Sequence, residues 1–225
     1  METGTLSLVA TPIGNLEDMT YRAVRTLNEA DYILCEDTRV TGILKQRYEI
    51  DIPLRRYDAH ASERVHEQII TDLTAGKKIA LVSDAGTPGV SDPGVLLVQA
   101  ARAAGVRIET IPGPSAVTAA VSLTGFTGNQ FAFLGFAPQK KGRETFFKEL
   151  LNHEYPVVFF ESTHRIMKTL ASLAEHTPDA PLYIGRELTK LHEEMLVGTA
   201  SEIIATLEAE PVRQKGEFVI IVDPR

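Results

Sequence analysis

The residues of this 225-residue sequence best suited to chemistry sit in short polar runs, each following an apolar one. Ser83-Asp84-Ala85-Gly86-Thr87-Pro88-Gly89-Val90-Ser91-Asp92-Pro93-Gly94 is the most specific of them. Three glycines and two prolines in twelve residues fix a backbone that can approach a ligand closely, and Gly94 leads into a helix whose first amides can receive an anion. The run lacks the Gly-Lys-Ser/Thr of a Walker loop. No Gly-x-Gly-x-x-Gly occurs there or after the first apolar run, so neither nucleoside triphosphate nor ordinary dinucleotide binding is supported. Asp84 has two readings, as an acceptor for ribose or amine hydrogen bonds and as an Asx-turn residue that shapes the loop; Asp92, before Pro93, reads as a turn former.

Glu36-Asp37-Thr38-Arg39 places two acids and a guanidinium within four residues. Such a group can orient a hydroxyl, steer a phosphate or accept a proton. The blander reading, favoured by the residues alone, is a helix N-cap at Asp37 or Thr38 with Arg39 as a structural ion-pair partner. His60, between two alanines, reads as a surface residue. Phe159-Phe160-Glu161-Ser162-Thr163-His164-Arg165 ends an apolar run in polar groups, and the charged stretch Gly185 to Glu194 reads as a solvated face or ion-pair network. His164, His192, Glu193 and Glu194 lack the helical His-x-x-x-His spacing of a zinc site, and no metal is expected. Gln139-Lys140-Lys141-Gly142-Arg143 is the one compact basic run, the natural place for phosphate contacts, with Phe133 and Phe136 just upstream.

The elements that position these groups alternate regularly. Apolar runs at Thr5–Ala10, Tyr32–Cys35, Ile52–Tyr57, Lys78–Val82 and Val106–Ile111 predict strands. Between them fall helix-like stretches: one spaced on Ala23, Val24, Leu27 and Ala30, then Thr41–Tyr48, Val65–Leu73 and Val95–Ala104. Alternation of this kind predicts an α/β layer with a largely parallel sheet, where ligands bind beyond the carboxyl ends of the strands. Each polar run described for this half follows such a strand.

Ile111-Pro112-Gly113-Pro114-Ser115 is the best internal boundary, with Ser115 able to cap the next helix. It predicts domains at 1–113 and 114–225. Strands at 131–134, 157–160, 182–184, 195–199 and 218–222, with helices near 146–151, 166–173 and 203–207, make the second domain another α/β unit, with antiparallel pairing in its last strands.

Composition narrows the class. At 44% apolar residues the chain can bury a real core, and a single cysteine, Cys35, excludes a disulfide framework or a Cys-based zinc site. With no signal-peptide pattern in Met1–Ala10 and no apolar stretch near the roughly 20 residues that a bilayer requires, the expectation is a cytoplasmic protein without membrane contact. Its net charge of −7, shared as −4 and −3 between the two halves, argues against indiscriminate binding to DNA or RNA.

VATPIGNLEDMTYRAV, CEDTR, LVSDAGTPGVSDPG, IPGPSAV, FLGF, FFESTHR, GRELTKLHEE and KGEF, in this order over nearly the whole chain, resemble the ribosomal RNA small-subunit methyltransferase I group of the tetrapyrrole methylase superfamily. The set is highly specific, although no single string would be. The resemblance implies two α/β domains, a mainly parallel sheet in the first and a mixed sheet in the second, with S-adenosylmethionine in the cleft between them and a homodimer as the working form. It also implies methylation of a cytidine ribose 2′-hydroxyl in the decoding region of small-subunit ribosomal RNA.

Carried over by position, Ala10, Pro12, Asp84, Thr87, Ser115 and Ala116 match cofactor-contacting motifs, joined by Phe160, Arg186 and Leu188 from the second domain. Asn15, Glu36, Asp37, Arg39 and His60 would face the methyl acceptor. Lys140, Lys141 and Arg143 are expected to hold the RNA backbone. Two departures stand out: the usual Ser-Pro-His-Arg reads Ser162-Thr163-His164-Arg165, and the stretch around His60 fits the pattern loosely. The chain also ends at Arg225, where several relatives continue into a small helical extension.

A ribose hydroxyl is a weak nucleophile at neutral pH, so some residue should take its proton while the oxygen is held about 3–3.5 Å from the methyl carbon. Glu36 and Asp37, with Arg39, are the expected group. The superfamily also contains corrin and porphyrin C-methyltransferases; CEDTR and GRELTKLHEE favour the ribosomal RNA branch over them. A non-catalytic S-adenosylmethionine-binding assembly protein is the other rival. An acidic protein can act on RNA where positive charge is local, as in residues 139–148, with four basic groups and one acidic.

Overall fold

A strand covered on both faces has little room for polar side chains, and Tyr32–Cys35 is buried at every position. The computed structural model describes residues 3–58, 61–126 and 128–224. The chain forms two units, Met1–Ser115 and Ala116–Arg225.

The first unit runs β1 (Thr5–Val9), α1 (Tyr21–Asn28), β2 (Tyr32–Cys35), α2 (Thr38–Arg47), β3 (Leu54–Arg56), α3 (Glu63–Thr74), β4 (Lys78–Leu81), α4 (Val95–Ala103) and β5 (Arg107–Ile111). Its strands are all parallel, in the order β3-β2-β4-β1-β5. Because successive side chains leave a strand on opposite faces, the sheet carries two cores. Leu6, Leu34, Ile79 and Leu81 pack with Leu73 of α3 and Leu97 of α4. Val9, Ile33, Ala80 and Val82 pack with Ala23 and Leu27 of α1 and Leu44 of α2. Parallel strands end at one edge, so the loops after β4, β1 and β5 emerge side by side, with the loop after β2 next to that after β4.

The second unit runs α5 (Ala116–Thr124), β6 (Ala132–Phe136), α6 (Arg143–Glu149), β7 (Val157–Ser162), α7 (Ile166–His176), β8 (Leu182–Arg186), β9 (Glu194–Gly198), α8 (Ala200–Ala209) and β10 (Glu217–Val222). Its sheet has the order β6-β7-β10-β8-β9; β6 and β7 are parallel, and β10, β8 and β9 pair antiparallel, as the pattern predicts for the last strands. Phe147, Leu170 and Ile203, one from each of α6, α7 and α8, close over Val157, Phe159 and Ile220. A reciprocal capping box between Thr199 and Glu202 starts α8.

Several boundaries differ from expectation by one to a few residues, and two of them stand out. Helix α2 begins at Thr38 rather than Thr41, because the Asp37 carboxylate accepts the Arg39 N–H at 2.8 Å and so caps it earlier. The extended segment expected over Ile52–Tyr57 forms only three strand residues, an edge strand paired to β2 alone. No described helix is long and apolar enough to cross a membrane.

Candidate functional site

Backbone hydrogen bonds knit the central loops of the first unit. Thr11 N–H donates to the Gly86 carbonyl at 2.9 Å and Gly86 N–H returns to Thr11 at 3.0 Å. The Thr11 hydroxyl donates to the Ser83 carbonyl at 3.1 Å, and the Thr87 hydroxyl to the Pro114 carbonyl at 3.3 Å. The segments after β1, β4 and β5 therefore form one tied surface carrying Ala10, Pro12, Asp84, Thr87 and Ser115. Gly86 and Gly89 adopt φ of +78° and +81°, which favour glycine, and a Cβ on Gly89 would meet nothing within 4 Å. Behind the loop, an apolar cavity of about 260 Å³ opens between Leu8, Leu81, Val95 and Val98.

The acids are arranged in depth. Asp84 Oδ1 accepts the Asp37 N–H at 3.1 Å, tying the loop after β2 to the loop after β4. Burial, and then the negative charges of Asp84 and Asp58, push the half-buried Glu36 carboxyl upward against the pull of Arg56. Burial, followed by Glu36, pushes Asp92 up to about 6 although Ser83 hydrogen-bonds to it. Asp37 goes the other way, held down to about 2 by hydrogen bonds from the side chain and backbone of Arg39. Arg39 Nη2 lies 2.5 Å from Asp37 Oδ2. Asp37 and Arg39 thus match the capping and ion-pair reading, and Glu36 is the member of the expected group whose carboxyl is raised. Asp92 is raised in a way that its local sequence does not signal. Its Asp-Pro context signals a turn and conceals that the turn folds back toward Glu36.

Asn15 is exposed and caps the short 3-10 turn Leu16–Asp18, accepting the Glu17 N–H at 3.1 Å. His60 lies outside the described residues.

In the second unit Phe160 is half-buried between Phe133 and Phe136, at ring-centroid distances of 5.0 and 5.3 Å. Arg186 directs its guanidinium inward, donating to the Lys215 carbonyl at 2.7 Å and pairing with Glu194 at 3.0 Å. Leu188 is buried against Gly185, and Ala116 opens α5. The charged stretch after β8 is an ion-pair network in which Lys190 bridges Glu187 and Glu217 at 2.9 and 3.0 Å. Among the described residues, one group has carboxylate and imidazole atoms grouped closely enough to suit a cation, Glu144, Glu175 and His176. Its Glu144 is already paired with Lys148.

Arg143 corrects the basic-run expectation. It is buried, donates to the Pro138 carbonyl at 3.0 Å and the Thr169 hydroxyl at 2.7 Å, and lies 3.7 Å from Glu161. Glu161, next to the last residue of β7, is a fully enclosed carboxylate, and a buried charge is tolerable only with compensation. Arg143 and Arg165, the latter at 2.7 Å, provide it. Lys140 and Lys141 remain exposed.

Fold and edge chemistry together define a class. Residues 5–204 match the family model described as Tetrapyrrole (Corrin/Porphyrin) Methylases. A solved diphthine synthase superposes with a TM-score of 0.75 at 14% identity, covering 98% of this chain and 90% of its own. The uroporphyrin-III-C-methyltransferase from Thermus thermophilus gives 0.66 at 19%, over 98% and 94%. At such identities these likenesses speak for the fold alone.

Full-length similarity is narrower. Ribosomal RNA small subunit methyltransferase I of Thermotoga maritima is 43% identical over 97% of this chain and 98% of its own length. The proteins of that name from Xylella fastidiosa and Bacillus subtilis are 45% and 42% identical, over 97% and 98% of this chain and 81% and 75% of theirs. The chain belongs to the ribosomal RNA small subunit methyltransferase I family, within the tetrapyrrole methylases, whose methyl donor is S-adenosylmethionine.

Proposed function

We propose that the chain methylates the 2′-oxygen of a cytidine ribose in the decoding region of small-subunit ribosomal RNA, with Glu36 as the proton acceptor. The names of the full-length relatives support the RNA class. The single observation behind the catalytic assignment is the raised Glu36 carboxyl at the sheet edge, beside loops held open by positive-φ glycines.

Those loops fit the methyl donor: a backbone free of side chains at Gly89 leaves room for close approach, and the exposed Asp84 carboxylate suits a ribose diol. Ala10, Pro12, Asp84, Thr87 and Ser115 would hold it from the first unit. Ala116, Phe160 and Leu188 are the second unit's candidates, with Arg186 bracing β8 and β9 behind them. Bound there, S-adenosylmethionine supplies an electrophilic methyl group. Glu36 takes the acceptor hydroxyl's proton, more readily for a carboxylate whose charge is poorly solvated. Asp37 and Arg39 hold the start of α2, so the Glu36 backbone stays fixed. Asn15, Lys140 and Lys141 contact the RNA, in the cytoplasm and in a homodimer.

Mass-spectrometric mapping of ribose methylation in small-subunit RNA, from cells with and without the protein, tests the site. With purified protein, Glu36→Gln should lower turnover about 10²- to 10⁴-fold with cofactor affinity retained. Asp37→Asn should keep turnover within a few fold. Near-normal turnover of Glu36→Gln would remove Glu36 from the chemistry.

A further inference from the structure

Strand β6 shifts register against β7 between Phe133 and Phe136. Ala132 and Phe133 pair with Val157 and Val158, but the next partner pair is Phe136 with Phe160. Three residues on β6 therefore span two on β7, a bulge centred on Leu134 and Gly135, with Gly135 at φ +69°. In a regular strand, Phe133 and Phe136 would leave on opposite faces, since side chains alternate. The extra residue restores them to one face, where both rings meet Phe160 edge-on, at interplanar angles of 64° and 61°. Phe133 and Phe160 are half-buried, whereas Phe136 is 54% exposed. The cluster thus braces one aromatic ring and leaves much of it in water, against the cost of exposing apolar surface.

The segment after Phe136 is held as firmly. Ala137 N–H donates to the Phe160 carbonyl at 3.3 Å, Arg165 donates to the Ala137 carbonyl at 2.9 Å, and Arg143 to the Pro138 carbonyl at 3.0 Å. Both arginines are fixed by the enclosed Glu161. Lys140 and Lys141 follow on this anchored turn, exposed and, among the described residues, without an ion-pair partner. Lys148, the other exposed cation of this stretch, is already paired to Glu144.

We infer that Phe136, Lys140 and Lys141 form a docking surface for an unpaired RNA segment, with one base stacked on the Phe136 ring and the adjoining phosphates on the two lysines. Arg143 acts as a positioning residue that holds the lysine turn. An exposed aromatic ring followed, four and five residues on, by two exposed lysines is a pattern that single-stranded nucleic acid fits: every base has a face to stack, and its backbone is anionic. The inference rests on the RNA reading above and adds to it a base contact and a reason for the bulge.

The test uses the full-length protein and a fluorescein-labelled unpaired RNA 12-mer, with binding followed by anisotropy. Phe136→Leu keeps an apolar side chain against Phe160 and removes the aromatic face; it should weaken binding roughly tenfold, within the about 1–3 kcal/mol that a stacked base contributes. Phe136→Trp should bind within about twofold of the parent. S-adenosylmethionine affinity, measured by calorimetry, should be unchanged in both. Arg143→Lys should lose RNA affinity without losing cofactor affinity.

Equal RNA binding by the parent and Phe136→Leu overturns the stacking contact. A fall in molar mass of Phe136→Leu by light scattering overturns it as well, because the face would then be a contact between copies of the chain. Methylation of small ribosomal subunits by the parent is assayed separately. If that fails while the 12-mer binding pattern holds, the functional reading is wrong and the docking surface stands.

Discussion

At the carboxyl ends of the parallel strands the Asp92 carboxyl is raised, first by burial and then by the negative charge of Glu36. The consequence for stability has a definite sign. The folded state lifts Asp92 from 3.8 to about 6, so between those values folded protein binds more protons than unfolded protein. Stability from this group is complete below about pH 4 and declines as pH rises through 6. Two pKa units correspond to about 3 kcal/mol, which solvent screening of a partly exposed side chain reduces to about 1 kcal/mol. Asp92→Asn should therefore gain about 1 kcal/mol in urea unfolding at pH 7.5 and nothing at pH 3.5. A loss of equal size at both values would make the Ser83 hydrogen bond the dominant effect. The sequence showed Asp92 only as a residue before proline, because the carboxylates it meets come from elsewhere in the fold. Arg143 eluded reading for the same reason: its partner Glu161 lies 18 positions away, in a different element.

At the level of elements, the strand and helix alternation of the first unit was readable because β1, β2 and β4 are largely apolar and buried, whereas the edge strand β3, Leu-Arg-Arg, carries little of that signal. Register was not, since the β6 bulge depends on which residues of β7 it meets. Helix α4 supplies a sharper test of how the loop is built. Gly94 precedes it at φ +136°, and a Cβ there would lie 2.8 Å from the Leu81 side-chain tip. That tip can move, so the backbone conformation carries most of the penalty, about 1–3 kcal/mol. Gly94→Ala should lower thermal stability accordingly and weaken S-adenosylmethionine binding by distorting the end of the loop. Gly89→Ala, at φ +81° in open space, should cost only about 1–2 kcal/mol for its left-handed backbone. If the two variants unfold at the same temperature, the contact with Leu81 and the helix start add nothing.

The whole molecule carries −7, spread over both halves, which leaves local charge as the means of holding a polyanion. With Arg143 enclosed and Lys148 paired, Lys140 and Lys141 are the exposed cations remaining in the 139–148 stretch. This sets a numerical expectation. For single-stranded nucleic acid, the logarithm of affinity falls with the logarithm of salt concentration at about 0.7 per phosphate neutralised. Two lysine contacts give a slope near −1.4, shallow for an RNA-binding protein. Lys140→Ala with Lys141→Ala should flatten it toward zero for the 12-mer. Binding to intact small ribosomal subunits should keep a residual affinity in the double variant, because a shaped surface can contribute contacts that salt does not screen. A parent slope steeper than about −4 on the 12-mer would mean that cations elsewhere on the protein hold the RNA, and that the acidic surface does not restrict binding to this one place.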